Sequence, residues 1–210
     1  MERFGPTRRG GPVFRWLGED LSIDLANTVM VIRDGGEAVD LLADEMQMRR
    51  WLELERERLG GAELEFGAGD FTRLCELRDA VRDLFAASAA GEPLPAAALT
   101  SVNAASVQNP SSPRLCIRAD GAAEVREPPG AGVDGLLGAS ARSAIRLLGE
   151  PGGAELHLCT APSCGMFFLG KRRWCCAACG NRARAARHYS RRHGATRNKS
   201  TDKRCLKTPR

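Results

Sequence analysis

The stretch CTAPSCGMFFLGKRRWCCAAC, residues 159–179, decides the fold of the C-terminal part of this chain. It holds five of the eight cysteines, arranged as a close pair, a short insertion and a second close group. The first pair is Cys159 and Cys164, and the second is Cys179 with either Cys175 or Cys176. Each pair can occupy one edge of a tetrahedron, and the insertion folds back to bring the two edges together, as Zn²⁺ requires. Four thiolate ligands leave no position for a catalytic water, so the predicted zinc site is structural.

The spacing of the cysteines does not decide which residue is the third zinc ligand. Cys176 gives the two-residue separation common in zinc ribbons, whereas Cys175 gives three. A different ligand set, Cys176 and Cys179 with His188 and His193, resembles a Cys2His2 finger. The eight residues before its first histidine are fewer than the usual number of about 12. This ligand set would also leave the first cysteine pair without a role.

A basic helix is predicted directly after Cys179. Alanines alternate with arginines there, and alanine favours helix. Arg184, Arg187 and Arg191 recur at three- and four-residue spacing and form one charged stripe, with Arg182 near it. Like charges on a short helix repel each other, which favours an anionic partner.

The C-terminal part as a whole is strongly basic. Residues 159–210 contain 14 Lys or Arg and one acidic residue, a net charge of +13, whereas the first 158 residues carry −8. Such a field is typical of binding to a phosphate-rich polymer, and the fork of arginine suits phosphate and guanine. We therefore predict duplex DNA as the partner. The predicted contact residues are Arg172, Arg173, Asn181, Arg182, Arg184, Arg187 and Arg191.

The N-terminal part is predicted to be mainly helical. Apolar residues at three- and four-residue spacing predict helices, and glycines and Asp-Gly turns separate them. One Asp-Gly turn lies between two short runs over residues 115–126 and predicts a small antiparallel hairpin. The predicted fold class is α+β, mainly α, with a small C-terminal zinc finger. The predicted helices begin near Leu21, run from Asp44 to Gly60 and from Asp70 to Gly91, span Ala96 to Ala105, and carry Leu136 to Leu148.

Length and composition narrow the class of function. The 210 residues allow one or two domains. No apolar run reaches the roughly 18–20 residues of a membrane helix, and no signal-peptide core follows Met1, so we expect a cytoplasmic location. Cytosolic thiols stay reduced, which favours metal binding over disulfides. The sequence contains no His-Glu-x-x-His, no nucleotide-binding glycine loop and no paired catalytic carboxylates, so we expect no enzyme.

Two known families resemble this chain. The segments RWC (173–175) and CGNR (179–182) look like the CGNR zinc finger, and the N-terminal half is similar to the ABATE domain that accompanies it in bacterial proteins. The matching stretches of that half are LSIDLANTV (21–29), DLLA (40–43), WL (51–52), LRDAV (77–81), Asn103, the 136–148 helix and LHLC (156–159).

The resemblance implies a transcription regulator with a sensor-like α+β domain and a treble-clef-like finger. It places the third ligand directly after Trp174 and so favours Cys175, although the spacing before Cys179 is one residue shorter than in the family. The implied zinc ligands are Cys159, Cys164, Cys175 and Cys179. The implied domains are an ABATE-like domain (14–150) and a CGNR-type finger (155–193). From composition, we expect the Gly-, Pro- and Arg-rich N-terminus (1–13) and the basic tail (194–210) to be disordered.

Three further expectations concern partners. Asp24, Asn27, Thr28 and Arg78 are polar residues beside apolar helix faces and are candidates for lining a small-ligand pocket, although Asn and Thr more often form caps or turns. A DNA site with two-fold symmetry would require a homodimer. The alternative to a DNA-binding regulator is a zinc–thiolate redox sensor or a protein-interaction module, because one of the two adjacent cysteines is left over.

Overall fold

The computed structural model describes residues 18–31, 38–59, 64–108, 110–126, 130, 132–150, 155–162 and 164–201. These residues form six helices and three two-stranded antiparallel sheets, so the expected fold class, α+β and mainly α, is confirmed. The helices are α1 Leu21–Ala26, α2 Glu45–Glu55, α3 Asp70–Ala90, α4 Ala96–Gln108, α5 Gly132–Gly149 and α6 Ala177–Thr201. The strands are β1 Val29–Val31, β2 Ala38–Asp40, β3 Arg114–Ile117, β4 Ala123–Arg126, β5 Leu156–Leu158 and β6 Phe167–Leu169.

Local sequence signals explain where the N-terminal helices begin and end. The side chain of Asp44 accepts a hydrogen bond from the backbone N–H of Gln47 at 2.8 Å and caps α2. Helix α3 ends at Gly91, whose φ of 70° lies in the left-handed region that glycine adopts at low cost. Helix α2 ends at Glu55, earlier than predicted, because the chain turns through the next residues to place Leu59 in the core.

The core of the N-terminal part lies between α3, α4 and α5, with α1 packed against α3 and α5. The spacing of apolar residues on α3 predicted its buried face correctly, since Leu74, Val81 and Phe85 are fully buried. A buried polar contact adds to the packing of α1 on α5, because the hydroxyl oxygens of Ser22 and Ser143 lie 2.9 Å apart. The predicted hairpin is formed by β3 and β4, which turn at Gly121 with φ 82°.

The C-terminal hairpin, β5 and β6, is part of the same core. Leu156 and Phe167 belong to the apolar cluster of the N-terminal helices, and the Phe167 ring meets that of Phe85 edge-on at 5.6 Å. The finger is therefore packed onto the helical part by its own hydrophobic residues. Helix α6 continues to Thr201, through the first residues of the segment expected to be a disordered tail. The expected disordered N-terminus, 1–13, and residues 202–210 lie outside the described residues.

Within the described part of the chain, none of the helices is long and apolar enough to cross a membrane.

Candidate metal centre

The four cysteines of the candidate site are positioned by the C-terminal hairpin and by the start of α6. Cys159 follows β5, and Cys164 precedes β6. A backbone hydrogen bond from the N–H of Cys159 to the carbonyl of Met166, 2.8 Å long, holds the two ends of the loop between the strands together. Cys175 lies just before α6 and Cys179 in its first turn. The hairpin and the helix thus each supply two thiols.

The spacing of the sulfur atoms fits a tetrahedral metal ion. The four Sγ atoms all lie within 4.8 Å of one another, with 3.7 Å between Cys164 and Cys175 and 3.3 Å between Cys175 and Cys179. Zn–S bonds of about 2.3 Å at tetrahedral angles place sulfurs about 3.8 Å apart. All four cysteines are free and buried, so the cluster is not a pair of disulfides. The donor set, four soft thiols without a carboxylate, suits Zn²⁺.

The geometry groups Cys175, and not Cys176, with the other three cysteines. Cys175 is buried in the cluster, whereas Cys176 is half-buried with its Sγ 3.9 Å from the Sγ of Cys175. The Cys2His2 arrangement is not formed, because Cys176 lies outside the group and His188 is an exposed residue of α6.

The thiols perturb one another strongly. A hydrogen bond from Cys175 lowers the pKa of the Cys164 thiol to about 5, while the hydrogen bond to Cys164 and burial raise that of Cys175. Burial raises the pKa of Cys179 to about 12. The cluster therefore stabilises one thiolate. Ionising a second thiol is unfavourable, because buried negative charges repel each other. A divalent cation removes that penalty, and its binding would expel the remaining protons.

The three residues that follow Cys179 in the CGNR segment each have their own structural role. At Gly180 an added Cβ would lie 3.1 Å from Cδ1 of Trp174, so glycine lets the indole pack closely on the start of α6. The side-chain oxygen of Asn181 accepts a hydrogen bond from Arg184 on the exposed side of the helix. Arg182 is half-buried and donates from Nη2 to the Sγ of Cys179 at 2.9 Å.

The remaining predicted DNA-contact residues fall into two groups. Arg172 and Arg173 are exposed but engaged: Arg172 pairs with Glu19 of the N-terminal part and lies over the Phe168 ring, and Arg173 stacks on Trp174. The second group comprises the exposed arginines of α6, which are Arg184, Arg187 and Arg191. Arg182 is not near this stripe, because residues two apart on a helix point to nearly opposite sides.

The β5–β6 hairpin, called the metal hairpin because Cys159 and Cys164 lie on it, is joined to the helical part by two residues. The sequence did not predict this role for either of them. The side chain of Asn27 donates to the carbonyl of Phe167 at 2.9 Å and accepts from its N–H at 2.7 Å, replacing a strand partner of β6. The Arg82 guanidinium donates to the carbonyls of Ala26 and Val29 and lies over the Phe167 ring. The sequence shows Asn27 only as a polar residue just after a short helix. It does not show the contact with Phe167, because the two residues are 140 positions apart.

The residues considered for a ligand pocket are engaged within the protein. Asn27 holds the metal hairpin, Thr28 donates to the carbonyl of Leu25, and Arg78 forms two hydrogen bonds with Asp40. The fourth, Asp24, is buried against Arg58, and burial raises its pKa to about 8. None of these four residues lines either of the two described cavities of the chain.

Four buried cysteines on a hairpin and a helix start, packed on a helical domain, define a metal-binding zinc-finger protein. Two families match the chain: ABATE, described as "Putative stress-induced transcription regulator", over residues 19–151, and the CGNR zinc finger over residues 155–192. The chain belongs to the ABATE family, and the resemblance noted from its sequence is thereby confirmed. Both families are regulatory or zinc-finger families and not enzyme families. No curated relative matches the chain.

Proposed function

We propose that this protein is a DNA-binding transcription regulator in which one structural Zn²⁺, held by Cys159, Cys164, Cys175 and Cys179, fixes a basic helix that contacts duplex DNA. The observation that carries the proposal is the placement of α6. The helix contains a metal ligand in its first turn, and every residue from Arg187 to Arg192 is exposed.

The dimensions of α6 suit a DNA groove. Its 25 residues give a helix about 37 Å long at 1.5 Å per residue. Arg184, Arg187 and Arg191 lie within a stripe about 60° wide, since each residue advances the helix by about 100°. The major groove is about 12 Å wide and admits such a helix. Phosphate contacts from the stripe would supply most of the affinity.

The net charge of the N-terminal part supports an approach of DNA from the side of α6. Residues 1–158 carry a net charge of −8, which would repel DNA from the helical part and leave the basic C-terminal region as the approach side. Arg182, which donates to a zinc ligand, stabilises the thiolate in this proposal and does not read DNA. Recognition of a symmetric site would require a homodimer.

Titration of zinc-loaded protein with a labelled duplex at several salt concentrations tests the proposal. If about five phosphates are neutralised, log affinity falls with log salt at a slope near −4.5, or about −0.9 per contact. The variant Arg184→Ala/Arg187→Ala/Arg191→Ala is expected to reduce the slope to about −1.8, because three contacts are lost. A strong chelator should abolish binding.

The matched control removes three exposed arginines from the N-terminal part, Arg56→Ala/Arg114→Ala/Arg118→Ala. It loses the same charge and should keep the wild-type slope. A wild-type slope near zero, or equal slopes in the two triple variants, would overturn the proposed DNA contact. Elemental analysis should give one zinc per chain.

A zinc–thiolate redox sensor is the second candidate, favoured by the half-buried Cys176 thiol beside the ligand Cys175. Stoichiometric peroxide should then release zinc, and reductant with added zinc should restore the site. Cys176→Ser is expected to slow this release. Release at the same rate in the variant and the wild type would exclude a role for the spare thiol.

A further inference from the structure

A cavity of about 500 Å³ opens where α1 begins, α2 ends and α5 passes. Its volume lies in the range of small-molecule sites, roughly 300–1,000 Å³. Three arginines line it, Arg58 after α2 and Arg142 and Arg146 on α5, together with the Ser143 side of that helix. Glu19 and Asp20 form the acidic part of the lining.

Three guanidinium groups around one cavity are unexpected in this part of the chain, because the first 158 residues carry a net charge of −8. Arg142 and Arg146 lie four residues apart on α5, so their side chains are neighbours on one face of the helix. An anion in the cavity can therefore contact both guanidinium groups.

Two of the three arginines, Arg58 and Arg142, are held at the cavity by contacts with the protein. Arg58 donates to the buried carboxylate of Asp24 at 3.0 Å and lies 3.3 Å from that of Glu55, and Arg142 donates to the carbonyl of Ser106 at 3.3 Å. A guanidinium has five N–H donors in a planar fork, so a protein partner on one side leaves the group able to bind an oxyanion on another. Such anchoring lowers the entropy lost when a ligand binds.

We propose that this cavity binds a small organic polyanion, with carboxylate or phosphate-ester groups, through Arg58, Arg142 and Arg146. The arginine fork matches both kinds of oxyanion, and the polar lining selects charge over apolar surface. The site would make the helical part of the chain a receptor for an acidic metabolite.

The cavity also touches a contact with the finger. Glu19 lines it and pairs with Arg172, which lies over Phe168 beside the metal hairpin. The cavity therefore lies beside a contact between the helical part and the finger. Ligand binding itself can be measured without DNA.

The test is isothermal titration of the zinc-loaded protein with two probes, tricarballylate and glycerol 2-phosphate, and with glucose as an uncharged compound. We expect one site per chain for at least one of the anions and no binding of glucose. Arg146→Glu is expected to weaken binding at least about tenfold, as for the loss of a charge-assisted hydrogen bond. Arg146 is an exposed residue of α5, which favours folding of the variant.

Arg114→Glu is the control, because Arg114 is exposed on β3 and lines neither described cavity. It makes the same change in net charge and should leave the affinity unchanged. A more conservative variant, Arg146→Gln, should weaken binding less than Arg146→Glu, and thermal melts establish that both variants fold. Absence of binding by both anions, or equal affinity in Arg146→Glu and the wild type, would overturn the proposal.

Discussion

The metal site joins two parts of the chain that differ in how they are held. Two of its four clustered thiols lie on the β5–β6 hairpin, whose Phe167 is buried among the N-terminal helices and paired through its backbone with Asn27. The other two lie at the start of α6, which is exposed on all sides from Arg187 to Arg192. The comparison teaches that the hairpin is an internal element fixed by packing, whereas α6 from Arg187 to Arg192 is an external element attached at its start, where Trp174 packs on Gly180 and two of the four thiols lie.

The largest effect is expected from loss of the metal. Cys164→Ser should lower the stability of the whole chain on the order of 5 kcal/mol, below the roughly 10–16 kcal/mol of zinc binding to finger peptides, because packing of the hairpin persists. Calorimetry should show one cooperative transition at a lower temperature. Cys116→Ser, at a half-buried cysteine of β3, is the control. If the helical part instead shows a separate transition at the wild-type temperature, the hairpin is independent of the helical core. That result would contradict its description as an internal element.

The next effect concerns the contact between the helical part and the hairpin. Asn27→Ala leaves the buried N–H and carbonyl of Phe167 without their partners, and each unsatisfied group costs about 1–3 kcal/mol. We expect a loss of about 2–6 kcal/mol in urea unfolding, the sum for the two groups. Asn103→Ala, at an exposed position on α4, should change stability by less than about 0.5 kcal/mol. Equal effects of the two substitutions would contradict an internal role for the hairpin.

A smaller effect, on zinc affinity, is expected at Arg182, the arginine of α6 that donates to the Cys179 sulfur. Arg182→Met removes the N–H donor to the Cys179 sulfur and should weaken zinc affinity about 10–100-fold, the range for the outer partners of metal ligands. Competition with a chromophoric chelator measures it. Arg184→Met, on the opposite side of the helix, is the matched control. If both variants bind zinc equally, the contact with the thiolate has no energetic role.

The smallest effect on stability is expected on α6 itself. Arg191→Ala should change the free energy of unfolding by less than about 0.5 kcal/mol, since the side chain is exposed and alanine favours helix. The same substitution should lower the salt slope of DNA binding by about 0.9 if Arg191 contacts a phosphate. A large loss of stability would show that α6 packs against another surface.

The metal-binding segment was predictable because its information is local. Five cysteines within 21 residues, the CGNR segment and the following arginines all lie in one stretch of chain. Helix boundaries set by Asp44 and Gly91 were predicted for the same reason, because caps depend on the immediately neighbouring backbone. The prediction that Arg182 lies near the arginine stripe was wrong, because a residue two positions before Arg184 points to nearly the opposite side of the helix; its contact with the Cys179 sulfur was visible only in the structure.

The sequence by itself determined the class of site, the helical character of the N-terminal part and the separation of charge along the chain, because spacing and composition act over a few residues. Only the tertiary structure decided that Asn27 and Arg82 hold the metal hairpin, that Asp24 and Arg78 are buried partners of other residues, and that three arginines surround one cavity. These contacts join residues up to 140 positions apart. The burial that brings such residues together belongs to the folded chain as a whole, because apolar surface is removed from water without regard to sequence distance.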